Sequence, residues 1–246
     1  MISVDLNCDM GEGIGNDAEL MPLVSSANIA CGYHAGDHAT ILKTARLARR
    51  YKVSIGAHPS FPDKENFGRV KMNFSANEIY DMVVRQINIV DEIVRSIGSK
   101  LNHVKPHGAL YNLAAVNKKV AHAIVSAIKN YDSNLIFFGL ANSKMIDVAI
   151  ASGLNFKHEV FADRTYQDDG TLTPRTKPNA LITNEEDCIE QVLGMVKNKT
   201  VNSVNGRKIS IQADTICIHG DGEHAVRFAK VLHAKLKQEE INIASQ

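Results

Sequence analysis

Short runs of mostly apolar residues alternate with longer amphipathic segments along almost the whole chain. Apolar runs bounded by polar or glycine-rich residues are typical of buried strands. We predict such strands at 2–8, 27–31, 53–57, 103–105, 135–138, 156–161 and 215–219. Each is followed by a segment long enough for a helix, so the pattern indicates a repeated strand–helix unit.

Helical periodicity is clearest between Ser75 and Ile97, where apolar residues recur at three- and four-residue spacing. Ser75 and Glu78 form a capping-box pattern at its start, and Gly98 follows its end. A second such pattern, Thr183 with Glu186, predicts a helix that continues to residue 196. Further helices are predicted at 40–51, 118–130, 143–152 and 223–239.

This alternation predicts parallel strands joined by crossover helices in an α/β fold. No linker, internal repeat or low-complexity tract divides the chain, so we expect one domain over 1–246. About seven strands are one fewer than a regular TIM barrel has, which favours an irregular (β/α) barrel. A doubly wound sheet is the alternative. Residues 162–178 lack periodicity, and a loop of this length is usually functional or mobile.

The composition narrows the range of partners. The chain has 246 residues and a formal net charge of +1, which gives no long-range field for nucleic acid or an acidic membrane surface. No apolar run approaches the roughly 20 residues of a membrane span. Four scattered cysteines without a C-x-x-C pair favour a reducing compartment. An acidic residue, Asp5, lies where a signal peptide would be basic, so we expect a cytoplasmic protein.

Polar, small and titratable residues follow nearly every predicted strand. The carboxyl ends of parallel strands lie at one rim of the fold, where active sites are built, so this pattern predicts an enzyme. The candidate site residues are Asn7, Asp9, Glu12, Asn28, His34, Asp37, His58, Arg69, Lys105, His107, Tyr111, Asp163, Arg164, Arg175, His219 and Asp221.

The first strand ends in alternating polar residues. Asp5, Asn7 and Asp9 share one face of the strand and should point into the barrel. Buried carboxylates need partners, so a functional role competes with a helix cap or loop hydrogen bonds. The glycines at 11, 13 and 15 lack the spacing of a dinucleotide-binding loop and the lysine of a Walker loop, so a tight turn explains them equally well.

Ten histidines are the unusual feature of the composition. His34 and His38 are four residues apart, a spacing that could place both on one metal ion together with Asp9. The alternative is that His38 faces solvent, and the metal set stays open, with Asp9 and His34 as candidates. His58 and His107 adjoin prolines that fix the backbone, and we assign them to the site with His34 and His219. His38 and His224 are predicted to be neighbours of the site.

Cationic side chains point to an anionic ligand. Lys105, between Val104 and Pro106, is predicted to be partly buried and then needs a carboxylate or a substrate anion. Arg69, Arg164 and Arg175 are loop arginines, which can bind a carboxylate or phosphate at two points or form surface ion pairs. Together with the histidines they favour a small anionic substrate.

The same segments resemble the LamB/YcsF family over essentially the full chain. The motifs are DLNCDMGEG at 5–13, SANIACGYHAGD at 26–37, GAHPS at 56–60, VKPHGALY at 104–111, FADRTY at 161–166 and HGD at 219–221. The resemblance implies an irregular barrel of the glycoside hydrolase/deacetylase group. It also implies the A subunit of bacterial 5-oxoprolinase, which opens 5-oxo-L-proline to L-glutamate with hydrolysis of ATP, together with the B and C subunits. This chain departs from the family at His38, where the family usually has proline, which argues against His38 as a ligand.

For such a reaction, catalytic roles are predicted for Asp9, His34, Asp37, Lys105 and His107. Either Asp9 or His34 would be the base, Lys105 and His107 would stabilise developing negative charge, and Arg164 or Arg175 would bind the substrate carboxylate. The other candidates are predicted to bind substrate, and ATP is expected to arrive with Mg²⁺. Two alternatives remain: a metal-dependent deacetylase or amidohydrolase, and a non-catalytic substrate-binding subunit. The lack of a Walker loop indicates that a nucleotide site would be unusual or shared with a partner.

Overall fold

A computed structural model describes residues 2–222 and 225–245. Its strands are β1 (Ser3–Met10), β2 (Ser26–Ala30), β3 (Ser54–His58), β4 (His103–Val104), β5 (Ile136–Leu140), β6 (Phe156–Phe161), β7 (Thr200–Asn202), β8 (Lys208–Ser210), β9 (Thr215–Ile218) and β10 (Asn242–Ile243). Its α-helices are α1 (Asp17–Leu20), α2 (His38–Tyr51), α3 (Ala76–Ser96), α4 (Gly108–Val116), α5 (Lys118–Tyr131), α6 (Lys144–Ser152), α7 (Glu185–Lys197) and α8 (Ala225–Gln238). A short 3₁₀ helix, Met21–Leu23, follows α1.

Seven parallel strands close into a barrel in the order β1-β2-β3-β4-β5-β6-β9. The barrel closes because β9 pairs with β6 on one side and with β1 on the other. β10 pairs in parallel with the start of β1, outside this ring. All seven predicted strands are present, and the irregular (β/α) barrel is confirmed in preference to a doubly wound sheet.

The helices surround the barrel, and their ends show how local sequence sets them. In α3, the Ser75 side chain accepts from the backbone N–H of Glu78 while Glu78 accepts from that of Ser75, which confirms the predicted capping box. The apolar face of α3 packs against α5 and α2. The predicted second capping box is wrong. Asn184 caps α7 and accepts from the N–H groups of Glu186 and Asp187, because the helix begins one residue later than the pattern suggested.

Several elements were not predicted from the sequence, among them α1, the 3₁₀ helix, β10, a helix after β4 and a hairpin before β9. The apolar segment Gly108–Val116 forms α4, and residues 200–210 form an antiparallel hairpin, β7–β8, outside the barrel. Neither was predicted, since α4 has no side-chain cap and the hairpin strands are only three residues long. The last predicted helix is present as α8, while residues 223 and 224 lie outside the described residues.

Polar side chains fill much of the barrel interior. Asp5, Asn7 and Asp9 alternate along β1 and are all buried. Asp5 accepts from the hydroxyls of Ser26 and Thr215 at 2.7 and 2.6 Å, and Asn7 donates to Thr215 at 2.7 Å. Buried polar atoms cost free energy unless they are paired, so these bonds make a polar interior compatible with folding.

Space inside the barrel is made by a glycine on β3. A Cβ atom built on Gly56 would lie only 2.1 Å from Nε2 of His103, whose ring crosses the interior to bond Asn28 Oδ1 at 2.8 Å. Gly56 therefore allows the His103 ring to occupy this layer. Among the described residues, all four cysteines are free and buried, and no helix is long and apolar enough to cross a membrane.

Candidate active site

A cavity of about 420 Å³ opens at the carboxyl ends of the barrel strands. Nine of the predicted site residues line it: Asp9, His58, Arg69, Lys105, His107, Tyr111, Arg164, Arg175 and His219. They come from β1, β3 and the segments after β3, β4, β6 and β9, so barrel closure brings together residues far apart in sequence. A cavity of this size suits a small molecule.

Lys105 is the central cation of the site and is almost fully buried. Its Nζ lies 2.9 Å from both Asp9 Oδ1 and Glu159 Oε1, and 3.0 Å from Cys217 Sγ. Burial opposes the charge on Lys105, but the facing carboxylates, Asp9 first, outweigh it and hold the pKa of the ammonium well above its usual value. Lys105 is therefore a fixed positive charge.

Glu159, on β6, is a site residue that the sequence pattern did not predict. It is fully buried, and its Oε1 accepts from Lys105 and from Asn7 Nδ2 at 3.1 Å. Its Oε2 and the hydroxyl of Tyr111 are both buried, and neither has a hydrogen-bond partner among the described residues. Burial and the charge of Glu159 raise the pKa of Tyr111 well above its usual value, so its hydroxyl keeps its hydrogen. The available signal was a carboxylate inside a predicted strand.

Asp9 accepts hydrogen bonds through Oδ1 from Lys105 and from Asn28 Nδ2, the latter at 2.8 Å. His58 Nε2 lies 3.3 Å from Oδ2. Burial opposes ionisation of Asp9, but the neighbouring His58 and Lys105 outweigh it and hold the pKa of Asp9 well below its usual value. Asp9 is thus a carboxylate at neutral pH that faces the cavity beside an imidazole.

Three histidines and a glutamate form a compact cluster against one wall of the cavity. One ligand atom from each of Glu12, His34, His58 and His107 lies within 4.8 Å of all the others. The rings of His34 and His107 stack with centroids 3.9 Å apart. Burial lowers the pKa of His34 to about 3, and burial also holds the pKa of His107 well below its usual value. Both are therefore neutral imidazoles at physiological pH.

The loop after β3 shapes this cluster. Gly68 has a φ of +66°, and a Cβ atom there would lie 2.9 Å from both His107 Cδ2 and His34 Cβ. Glycine lets the loop backbone approach the two stacked rings at a φ that other residues rarely adopt. The approach is held by the backbone N–H of Ala109, which donates to the carbonyl of Gly68 at 2.9 Å.

The segment after β6 supplies cations to the opposite side of the cavity. Arg164 is 3% exposed, and it donates through Nε to the carbonyl of Ala180 and through Nη2 to that of Thr173. Burial lowers the pKa of Arg164 to about 10, which still leaves it charged at neutral pH. Its Nη1 makes no hydrogen bond to a described residue and can bind an anion. Arg175 is exposed at the cavity edge.

Two further ion pairs lie at the rim. His219 Nδ1 lies 2.9 Å from Asp163 Oδ1, and Arg69 bonds to Asp221. Burial opposes ionisation of Asp163, but His219 outweighs it and lowers the pKa of Asp163. Asp163 and Asp221 do not line the cavity themselves. They orient His219 and Arg69, which do.

Some predicted site residues lie elsewhere. Asp37 is exposed and caps α2, accepting from the backbone N–H of Thr40 at 2.8 Å, so the structure does not place it with the catalytic group. His38, the first residue of α2, is also exposed, so the structure does not bring it to His34 as a metal pair. Asn7 and Asn28 lie beneath the cavity and bond each other at 2.7 Å. His224 lies outside the described residues.

The sequence as a whole also matches known proteins. The model of the LamB/YcsF family matches residues 4–246. The chain belongs to the LamB/YcsF family. It is 52% identical over 251 residues to a Bacillus cereus protein named as the A subunit of 5-oxoprolinase, and the match covers 100% of this chain and 99% of that one.

Solved structures extend the comparison of this LamB/YcsF protein. A lactam utilization protein from Thermus thermophilus is 38% identical, and the match has a TM-score of 0.93 and covers 100% of both chains. A peptidoglycan deacetylase from Bacillus subtilis, PdaC, is 10% identical with a TM-score of 0.51, covering 99% of this chain and 87% of that one. The second likeness concerns the fold alone, which is the deacetylase-like barrel expected from the sequence.

Proposed function

We propose that the chain is the A subunit of a 5-oxoprolinase, which opens 5-oxo-L-proline to L-glutamate with hydrolysis of ATP to ADP and phosphate. The observation that carries the proposal is the 52% identity over the full chain to a protein named as that subunit. The cavity agrees with a small anionic lactam, since carboxylates, imidazoles and arginines surround about 420 Å³. The partners would be the B and C subunits, in the cytoplasm.

The chemistry explains why ATP would be needed. A lactam is a resonance-stabilised amide, and transfer of the γ-phosphoryl group of ATP to its ring oxygen would make the ring carbon a better electrophile. Water would then add to that carbon, and the bond to the ring nitrogen would break as the nitrogen takes a proton. A second water would hydrolyse the resulting acyl phosphate to glutamate and phosphate. Such a path needs cations for the phosphate, a cation for the substrate carboxylate and a base for water.

The chain's own residues fit these roles. Asp9 faces the cavity, so it suits the base better than His34, which does not line the cavity. Lys105 and His107 would stabilise negative charge that develops on the ring oxygen. Arg164 would bind the substrate carboxylate through Nη1, with Arg175 at the edge. Mg²⁺ would come with ATP, at a site that the sequence does not mark with a Walker loop.

The test is an assay of glutamate formed from 5-oxo-L-proline and ATP by this chain with and without the B and C subunits. We expect glutamate and phosphate in equal amounts with all three chains, and their loss in Asp9→Asn. His122→Asn is the matched control, because His122 is exposed on α5. Glutamate formed without ATP would contradict the coupled reaction, and full activity in Asp9→Asn would remove Asp9 from it.

A further inference from the structure

Two imidazole nitrogens face each other in the histidine cluster. His58 Nε2 lies 2.9 Å from His107 Nδ1. The other nitrogen of each ring meets a backbone carbonyl: His58 Nδ1 is 2.7 Å from the Lys105 oxygen, and His107 Nε2 is 2.9 Å from the Phe67 oxygen. A carbonyl oxygen only accepts, so each neutral ring carries its hydrogen on that side. Each of the two facing nitrogens then presents a lone pair to the other, and no hydrogen lies between them.

A metal ion between the two nitrogens would satisfy such an arrangement. It binds through the lone pairs of neutral imidazoles, which are the commonest metal ligands among side chains. The facing nitrogens of His58 and His107 therefore offer two donors to one ion.

The neighbouring atoms complete a set of four donors. His34 Nε2 lies 3.3 Å from Glu12 Oε1, and His107 Nδ1 lies 3.8 Å from the same oxygen. Ligand atoms each about 2.1 Å from one ion lie about 3.0 to 3.4 Å from each other. The three distances given above for the cluster, 2.9, 3.3 and 3.8 Å, span this range. All four side chains are nearly fully buried.

Outer contacts hold each ring in the orientation that a metal ligand needs. His34 Nδ1 contacts the hydroxyl of Ser60 at 2.9 Å, and the outer nitrogens of His58 and His107 contact the two carbonyls already described. Metal-ligating histidines usually bond a second group in this way, which fixes the tautomer. A second set, Asp9, Cys217 and His219, lacks this arrangement because the Lys105 ammonium lies against Asp9 and Cys217.

We propose that Glu12, His34, His58 and His107 bind one divalent first-row transition-metal ion at the wall of the cavity. Three imidazoles with one carboxylate suit Zn²⁺, Co²⁺ or Mn²⁺ better than Mg²⁺ or Ca²⁺, which prefer oxygen ligands. The ion would be distinct from the Mg²⁺ that accompanies ATP. Bound there, it would supply Lewis-acid polarisation of a carbonyl or a more acidic water, and His107 would then act on developing negative charge through the ion. This inference deepens the proposed function, since it concerns the same cavity.

The test measures metal binding by the full chain without substrate or ATP. Chelator-treated protein is dialysed against Co²⁺, Zn²⁺, Mn²⁺ or Mg²⁺ and analysed for bound metal, and Co²⁺ is also followed by its visible absorption. We expect one equivalent of Co²⁺ or Zn²⁺, no retained Mg²⁺, and an affinity at least about 10-fold lower in Glu12→Gln and His107→Ala. His122→Asn, at an exposed histidine, should bind like the wild type. Circular dichroism of each variant before metal is added separates loss of ligand from loss of fold, and Glu12→Gln retains the size of the side chain.

The proposal is overturned if the wild type retains no transition metal, or if folded Glu12→Gln and His107→Ala bind it as the wild type does. Retention of Mg²⁺ in place of Co²⁺ and Zn²⁺ would also overturn it. These outcomes are separate from the glutamate assay. Metal binding without ATP-dependent glutamate formation would refute the proposed function and leave the metal site. ATP-dependent glutamate formation without metal binding would refute the metal site alone.

Discussion

Lys105 and Glu159 form an ion pair in the middle of the barrel, with 2.9 Å between Nζ and Oε1 and side-chain exposures of 3% and 0%. The pair joins β6 to the end of β4, and Asn7 on β1 bonds the same carboxylate oxygen. Charges so far from solvent persist only when each is matched, so the cavity floor depends on this pair.

Glu159→Gln should therefore lower the free energy of unfolding by about 3 to 5 kcal/mol, as expected when one partner of a buried pair is removed. The amide keeps the size of the side chain, so the decrease in the free energy of unfolding comes from the lost charge and not from a cavity. Urea unfolding of the full chain measures it.

The matched control is Asp147→Asn, which removes the carboxylate of the surface pair Lys144–Asp147, whose side chains are 55% and 58% exposed. Exposed pairs contribute little, so this variant should unfold close to the wild type. Equal losses in the two variants would contradict the view that Glu159 is needed as a buried counter-charge.

Gly56→Ala should destabilise the barrel by about 1 to 3 kcal/mol, the usual cost of forcing extra volume into a packed interior. The added Cβ would meet the His103 ring at 2.1 to 2.6 Å. Thermal unfolding measures the loss. In a His103→Ala background the ring is absent, so the same glycine substitution should cost less. An equal cost in both backgrounds would show that the ring is not what requires glycine.

His103 should make stability depend on pH. Burial, and then the charge of Lys157, hold the pKa of His103 well below its usual value of 6.5. Below about pH 6.5 the unfolded chain takes up a proton at this residue while the folded chain does not, so stability falls as pH falls.

His103→Gln should accordingly flatten the dependence of the free energy of unfolding on pH between about 6 and 4, by up to about 1.4 kcal/mol per pH unit. Urea midpoints at a series of pH values measure this slope. His122→Gln, at an exposed histidine, is the control and should leave the slope unchanged. A slope unaffected by His103→Gln would show that the folded protein protonates His103.

Arg164→Lys should raise KM for 5-oxo-L-proline about 10-fold or more in the three-subunit assay. Lysine keeps the charge but loses the planar fork that bonds Ala180 and Thr173 while presenting Nη1 to a carboxylate. Initial rates over a range of substrate concentrations measure the effect. Arg207→Lys, at an exposed position on the β7–β8 hairpin loop, should keep the wild-type KM, and an unchanged KM in Arg164→Lys would assign the carboxylate to another residue.

The sequence predicted the barrel well, because most of the buried strands are short, mainly apolar runs that polar residues follow. It also placed nine residues at one cavity, since the ends of parallel strands must meet. Glu159 was missed because its partner, Lys105, is distant in sequence and only barrel closure brings them together. The site role of Asp37 was predicted from its neighbours in the motif, although Thr40 three residues later already matches a helix cap.

The helix boundaries likewise depend on contacts that the sequence pattern does not show. Asn184 and Thr183 are both good capping residues, and the choice between them depends on where α7 packs. The segment of α4 reads as a mostly apolar run with Asn112 in its middle, which periodicity alone cannot assign to a helix or a strand.

The cavity is built from two kinds of scaffold. Asp9 and His58 lie on hydrogen-bonded strands and Lys105 directly follows one, whereas Arg164 and Arg175 belong to the connection between β6 and α7, which Arg164 ties together through two backbone carbonyls. Substitutions in that connection can alter which anion is accepted without moving the groups on the strands. Within one barrel, ligand choice and reaction chemistry can therefore diverge at different rates during evolution.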